Sequence, residues 1–141
     1  MSRDQEQSFY YLAGFHAKAG GERHRLSAWQ RGVIMGVDYA CEKFFSALHY
    51  AVASTTSLQR RLEDVISGVG DLDRDSFPDD ETWERFERLV KETTRIPRRN
   101  EGEGAIRATT AQMTGDEAAG CLREALGIFS NLAKAYGKER T

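Results

Sequence analysis

The sequence of 141 residues has little of the residue types that most often build covalent, metal or cofactor sites. It holds two cysteines and three histidines, and neither type shows the spacing of a zinc site. Two cysteines cannot form the dense cross-links of small secreted domains, so a disulfide scaffold is not implied. We therefore expect Cys41 and Cys121 to be small buried side chains, and we predict no metal ion and no cofactor.

Long apolar runs and an excess of one charge are also missing. The longest apolar segment is interrupted by Asp38, which argues against a transmembrane helix. The 20 basic and 22 acidic residues leave a net charge of −2, which is not the balance of a protein coated with cations for nucleic acid. The first residues, M-S-R-D-Q-E-Q, lack the apolar core of a signal peptide. We expect a soluble cytoplasmic protein with no membrane partner.

The longest segment that can form one element covers residues 27–53. Ser27 and Gln30 have the spacing of a capping box. Apolar residues then recur at the helical period, and a second set widens the apolar surface beyond one stripe. The first set is Trp29, Val33, Val37, Cys41, Phe44, Leu48 and Val52, and the second is Ile34, Phe45 and Ala51. A helix with so wide an apolar surface must be covered on several sides, so we place it at the centre of a bundle.

Four further helices are predicted around it. The first covers residues 4–19, with Phe9, Leu12, Ala13 and His16 on one face. The second is capped by Ser57, the third starts near Asp79 or Asp80 and is limited by Pro97 to about residue 96, and the last begins at the capping box of Thr114 and Glu117 and ends at Gly137. Whether residues 28–66 form one helix or two stays open. No strand pattern appears, so the prediction is one all-α domain over residues 1–141, an antiparallel bundle of four or five helices around a long central helix.

A basic segment follows the third helix. Arginine forks suit phosphate and carboxylate groups, and nearby Gly102 and Gly104 allow a ligand to approach the backbone closely. The alternative is a connector whose charges are balanced by Glu101, Glu103 and the acidic residues of 71–81. The candidate ligand-binding residues are Arg95, Arg98, Arg99 and Asn100, with Arg107 further along the segment.

Two polar patterns offer weaker hypotheses. Arg31, Asp38, Glu42 and His49 fall on one line of the central helix, which is either an exposed stripe or a polar seam facing a site. Asp71, Asp73 and Asp75 resemble the start of a calcium-binding loop. The pattern then departs at Ser76 and Thr82, where such loops need glycine and glutamate, so we interpret it as a solvated acidic loop.

Two stretches together resemble the HEPN superfamily of small helical bundles. One is G-V-D-Y-A-C-E-K-F-F-S-A-L in the central helix, and the other is R-R-N-E-G-E-G followed by the final helix. Active members of that superfamily carry an arginine, often followed by asparagine, a few residues before a histidine. Arg99 and Asn100 match, but no histidine follows them in this chain. The resemblance therefore implies a helical bundle over roughly residues 27–136, and it implies ribonuclease activity only if His49 supplies the proton-transfer group.

The leading prediction is a non-catalytic helical interaction module, homodimeric through the wide apolar surface of its central helix. Its basic segment would hold a phosphate-bearing or acidic partner, either protein or nucleic acid. One alternative is a HEPN-like ribonuclease with a degenerate motif that uses Arg99, Asn100 and His49. Another is a structural or regulatory subunit of a larger complex.

Overall fold

The computed structural model describes the backbone of residues 28–98 and 104–140 and the side chains of residues 36–98 and 104–138. Within these ranges the chain forms helices and no strand, which confirms the all-α bundle. The helices are α1 (Ala28–Ala53), α2 (Leu58–Val69), a 3₁₀ helix (Arg74–Ser76), α3 (Asp80–Thr93), α4 (Ala105–Thr110) and α5 (Gly115–Arg140). The helix predicted over residues 4–19 lies outside the described residues, as do the side chains of Trp29, Arg31, Val33 and Ile34.

Residues 28–66 form two helices rather than one. The chain breaks at residues 54–57, where Ser54, Thr56 and Ser57 offer the backbone side-chain hydrogen bonds in place of helical ones. The Ser57 hydroxyl accepts a hydrogen bond of 3.2 Å from the backbone N–H of Arg60, which confirms the predicted cap of α2. The break turns the chain back, so that α2 runs antiparallel to α1.

The directions of the other helices follow from individual contacts. The Gln59 side chain donates to the carbonyl oxygen of Met113 at 3.1 Å, which places the start of α2 beside the start of α5. Arg85 near the start of α3 contacts Glu124, whereas Glu92 near its end lies with Glu117 in one cleft. Helix α3 is therefore antiparallel to α5, and α5 runs antiparallel to α1.

The core is centred on Phe44, which is fully buried and meets the ring of Phe86 edge-on at 5.9 Å. Phe77 stacks obliquely on Phe86 with ring centroids 4.8 Å apart. The predicted core positions Val37 and Cys41 are buried, and Leu48 is half-buried. The prediction for Val52 is wrong, since its side chain is 83% exposed. The last turn of α1 buries Ala51 instead, about 100° around the helix from Val52.

One predicted helix end agrees with the structure and another does not. Helix α3 stops at Thr93, within the limit that Pro97 sets, and the Thr93 and Thr94 hydroxyls donate to the last helical carbonyl oxygens. The predicted end of α5 at Gly137 is wrong. Helix α5 continues through Gly137 to Arg140. A glycine inside a helix costs only about 1 kcal/mol relative to alanine, and ends a helix mainly where the backbone turns left-handed.

Helix α4 was not predicted, because its six residues are too few to show a helical period. It is held by threonine rather than by a broad apolar face. The Thr109 hydroxyl donates to the Ala105 carbonyl oxygen at 2.7 Å and accepts from the Ile96 backbone N–H at 3.0 Å. The segment that follows α3 is thereby tied to α4.

Candidate functional site

One face of α3 carries Arg85 and Arg88, three residues apart, and Glu92 one turn further along. Arg95 follows just beyond the end of α3 at Thr93 and pairs with Glu92. That side faces the first half of α5. The two helices enclose a cleft of about 320 Å³.

The floor of the cleft is apolar and its rim is charged. Leu89 from α3 and Met113 from the turn before α5 are buried at the floor. Half-buried Cys121 lines the cleft from α5, next to the bare backbone of Gly120. Apolar walls with a few charged groups at the rim are typical of ligand-binding sites.

Arg85 and Glu124 close one end of the cleft. The Arg85 Nε donates to Glu124 Oε1 at 2.8 Å, and this hydrogen bond is the main cause that lowers the pKa of Glu124 and raises the pKa of Arg85. The guanidinium lies over Gly127, where an added Cβ would meet Arg85 Nη2 at 2.5 Å. Glycine at this position is what lets the arginine cross α5 so closely.

The other two carboxylates of the cleft also have partners. The Glu117 side chain accepts from the Thr114 backbone N–H at 3.0 Å and the Thr114 hydroxyl accepts from the Glu117 N–H at 3.1 Å, which confirms the predicted capping box. These hydrogen bonds, with a smaller contribution from Arg95, lower the pKa of Glu117. Glu92 pairs with Arg95 at 3.3 Å, and because both side chains are about half exposed the pair adds little stability.

The predicted ligand-binding residues divide between the described and the remaining parts of the chain. Arg95 lies at the rim of the cleft, near the first turns of α5. Arg98 and Arg107 are exposed, and in the described part of the chain neither side chain makes a hydrogen bond or an ion pair. Arg99 and Asn100 lie outside the described residues.

His49 lies on a different side of α5. Its ring stacks on Phe45 at 5.7 Å, and Phe45 in turn contacts Phe129 of α5 at 6.1 Å. Phe129 and Glu124 are five residues apart, which is about 140° around a helix. The structure therefore does not bring His49 into the cleft that holds Arg95.

Beside His49, α1 and α5 carry a set of apolar side chains that we call the α1–α5 face. Because the two helices are antiparallel, the residues that follow Phe45 in α1 lie beside those that precede Phe129 in α5. Val52 is 83% exposed on this face and Leu126 is 55% exposed. The face comprises Phe45, Leu48 and Val52 from α1 and Leu122, Leu126 and Phe129 from α5.

The polar line of α1 is not a uniform exposed stripe. Asp38 is 8% exposed, Glu42 is half-buried and His49 is exposed, while the Arg31 side chain is not described. Cys41 lies buried beside the two acids. Burial, together with the negative charges of Asp38 and Glu42, raises the pKa of its thiol to about 12. The thiol is therefore protonated and unreactive at neutral pH.

The acidic loop that contains Asp71, Asp73 and Asp75 makes contacts within the fold. Asp73 accepts a 3.4 Å hydrogen bond from the Ser76 hydroxyl, and the backbone of Asp75 packs closely on Gly36 of α1. Among the residues described, no group of three or more histidine, cysteine, aspartate or glutamate side chains could hold a metal ion.

Sequence reasoning missed the cleft itself. Arg85, Arg88 and Glu124 look like ordinary charges of two exposed helix faces. A signal was present, since Glu117 and Glu124 repeat at seven residues on α5 opposite the arginines of α3. Their facing arrangement depends on which two helices are neighbours, and local periodicity does not give that.

None of the described helices combines the length and the apolar character needed to cross a bilayer. Comparison with protein-family models, with curated proteins and with solved structures finds no match to this chain.

Proposed function

We propose that this chain is a non-catalytic helical interaction module that binds a phosphate-bearing or acidic partner through Arg95 and Arg98. The observation that carries the proposal is the availability of arginine side chains at the end of the bundle where α3 stops. Arg98 makes no ion pair in the described part of the chain, and the Arg95 side chain stays about half exposed beside its partner Glu92. Guanidinium groups exposed in this way are available to carboxylate or phosphate oxygens.

A non-catalytic role is supported by the position of the one candidate proton-transfer group. His49 stacks on Phe45 within the α1–α5 face, on the other side of α5 from Arg95. A general base must lie within hydrogen-bonding reach of the reacting group, directly or through one water. A site built on the arginines can bind an anion without it.

The test is anisotropy of a fluorescein-labelled oligoglutamate peptide and of a labelled single-stranded RNA, each titrated with the protein at low and high salt. Arg95→Ala combined with Arg98→Ala should weaken binding of the preferred probe about tenfold or more, because each charge-assisted hydrogen bond contributes about 1.5–3 kcal/mol. The matched control is Lys134→Ala with Lys138→Ala, which removes two positive charges at the other end of α5.

If the arginine variant and the wild type bind the probe with equal affinity, Arg95 and Arg98 do not form the binding site. The RNA arm also tests the ribonuclease alternative, because the probe is checked for shortening on a gel. Cleavage that His49→Ala abolishes would replace the binding proposal with an enzymatic one.

We further propose that two copies of the chain pair through the α1–α5 face. The exposed side chains of Val52 and Leu126 support this pairing, because large apolar side chains exposed together often mark an interface. A pair formed in this way would carry two arginine sites and could hold a partner at two points.

A further inference from the structure

The backbone that follows α3 makes little hydrogen bonding of its own. Within the described part of the chain, residues 95–98 make one backbone hydrogen bond, in which the Ile96 N–H donates to Thr109 Oγ1 at 3.0 Å. The same four residues carry Arg95 and Arg98. The backbone that presents these two side chains is therefore held to the rest of the protein by one hydrogen bond.

The acceptor of this hydrogen bond is itself firmly placed. The Thr109 side chain is fully buried, and its hydroxyl donates to the Ala105 carbonyl oxygen at 2.7 Å. Because the hydroxyl proton is used within α4, the oxygen is left to accept from Ile96. The neighbouring Ala108 and Thr110 are each 2% exposed, so this side of α4 is packed into the protein.

The order of this short segment matters for binding. Arg95 is about half exposed and Arg98 is exposed, so the partner meets side chains whose position depends on the backbone beneath them. A segment that a partner must order binds more weakly than one that is ordered beforehand. Pro97 restricts the backbone next to Arg98, and the hydrogen bond of Ile96 to Thr109 fixes the other side of the proline.

We propose that Thr109 is the positioning residue of the arginine site. Its hydroxyl holds Ile96 against α4, and this orders the backbone that carries Arg95 and Arg98 before a partner binds. The inference rests on the proposed function, because it concerns the same two arginines. It adds to them a buried, uncharged residue that touches no partner.

The experiment compares two valine substitutions in α4, with the labelled probe, oligoglutamate or RNA, that the wild type binds more tightly. Thr109→Val keeps the shape of the side chain but removes the acceptor, so the Ile96 N–H turns to water. Binding should weaken about tenfold, because the partner must then order the backbone. The matched control is Thr110→Val, which removes a buried hydroxyl that donates to the Arg107 carbonyl oxygen at 3.4 Å. It should bind like the wild type.

Two further variants separate positioning from a general loss of stability. Thr109→Ser keeps the hydroxyl, so it should bind with nearly the wild-type affinity. In the protein that carries both Arg95→Ala and Arg98→Ala, adding Thr109→Val should have no further effect. Substitutions that act through the same contacts are not additive.

Hydrogen exchange at the Ile96 amide measures the order of the segment directly. In the free wild type this amide should exchange slowly, because it is hydrogen-bonded before any partner binds. It should exchange faster in Thr109→Val and stay slow in Thr110→Val. The measurement on the wild type does not depend on the folding of any variant.

The possible failures can be told apart. The inference alone is overturned if the Ile96 amide of the free wild type exchanges as fast as an unprotected amide. It is also overturned if Thr109→Val binds as tightly as Thr110→Val while the double arginine variant loses affinity, or if Thr109→Ser binds as weakly as Thr109→Val. A double arginine variant that binds like the wild type, or a wild type that binds neither probe, overturns the proposed function and this inference together.

Discussion

Single carboxylates fix the starts of two helices. Asp79 accepts a 2.8 Å hydrogen bond from the Thr82 backbone N–H at the first turn of α3, and Glu117 accepts one from Thr114 at the start of α5. In each case the hydrogen bonds lower the pKa of the acid, with the Thr82 side chain as the largest cause for Asp79. Each acid thus adds stability to the fold while it is ionised.

The contribution of Asp79 should depend on pH in a defined direction. Its pKa in the folded chain is below the ordinary value of 3.8, so its contribution is fully present above that value. The contribution is lost as pH falls through the lower pKa of the folded chain. At neutral pH, Asp79→Ala should cost about 1 kcal/mol of unfolding free energy, whereas Asp79→Asn should cost little because asparagine caps equally well.

Urea denaturation followed by circular dichroism, repeated from neutral to strongly acidic pH, measures both effects. The wild type should lose stability relative to Asp79→Asn as the pH falls below about 4, because the asparagine cap does not titrate. A difference between these two proteins that stays constant across the acid range would contradict the assignment of the cap.

Interactions between residues close together in the sequence were the easiest to predict. The caps at Ser57, Asp79 and Thr114 depend on residues three positions away or fewer, so the sequence shows them directly. The exposure of Val52 was not predictable in this way. It depends on which neighbouring helices reach the last turn of α1, and the helical period cannot tell a covered turn from an uncovered one.

At the scale of elements, α1 is packed against the 3₁₀ helix through one glycine. An added Cβ at Gly36 would come within 2.6 Å of the Asp75 carbonyl oxygen, so backbone meets backbone at this point. The close approach brings residues 74–76 against α1, next to buried Ser76 and Phe77. Any side chain at position 36 must push the two elements apart.

Gly36→Ala should therefore destabilise the protein by about 1–3 kcal/mol, the usual cost of overpacking. The matched control is Gly68→Ala in α2, where the added Cβ would be 3.4 Å from the Ala47 Cβ, an ordinary contact. That control should stabilise by about 0.5–1 kcal/mol, because alanine is the better helix former. Denaturation midpoints compare the three proteins, and a Gly36→Ala protein as stable as Gly68→Ala would show that the two elements are not in contact.

Helix starts were easier to predict than helix ends. The start of α3 is specified by one capping aspartate. Its end depends on the Thr93 and Thr94 hydroxyls, and threonine hydroxyls can hydrogen-bond the backbone in non-helical conformations as well. Helix α4 was beyond prediction, since Thr109 becomes a fixed link only when Ile96 of another segment reaches it. Tertiary contacts decide such elements.

At the scale of the whole molecule, the two sides of α5 differ in character. Toward α3 it presents glutamates and glycines, and toward α1 it presents Leu122, Leu126 and Phe129. The sequence indicated that the bundle has a wide apolar surface and a basic segment. It did not indicate that the α1–α5 face and the cleft beside Arg95 lie on different sides of α5, because this depends on the order in which the helices are packed.

If two copies pair through the α1–α5 face, substitutions on this face should halve the molar mass measured in solution. Val52→Glu combined with Leu126→Glu should convert a dimer into a monomer in size-exclusion chromatography with light scattering. Folding should be little affected, since both side chains are more than half exposed. The control is Tyr50→Glu, a half-exposed aromatic on the same turn as Val52 but about 160° away around α1. A wild type that is monomeric at high concentration, or a Tyr50→Glu protein that dissociates equally, would reject this face.

The directions of the helices have an electrostatic consequence. At the end of the bundle that holds Arg95, the C-termini of α1 and α3 lie beside the N-termini of α2 and α5. Each helix carries a macrodipole of roughly half a charge at its ends, positive at the N-terminus and negative at the C-terminus. The four longer helices bring two ends of each sign here, so their backbone fields largely cancel. The potential that an approaching partner meets is therefore set by side chains, and substituting a single arginine can alter it directly.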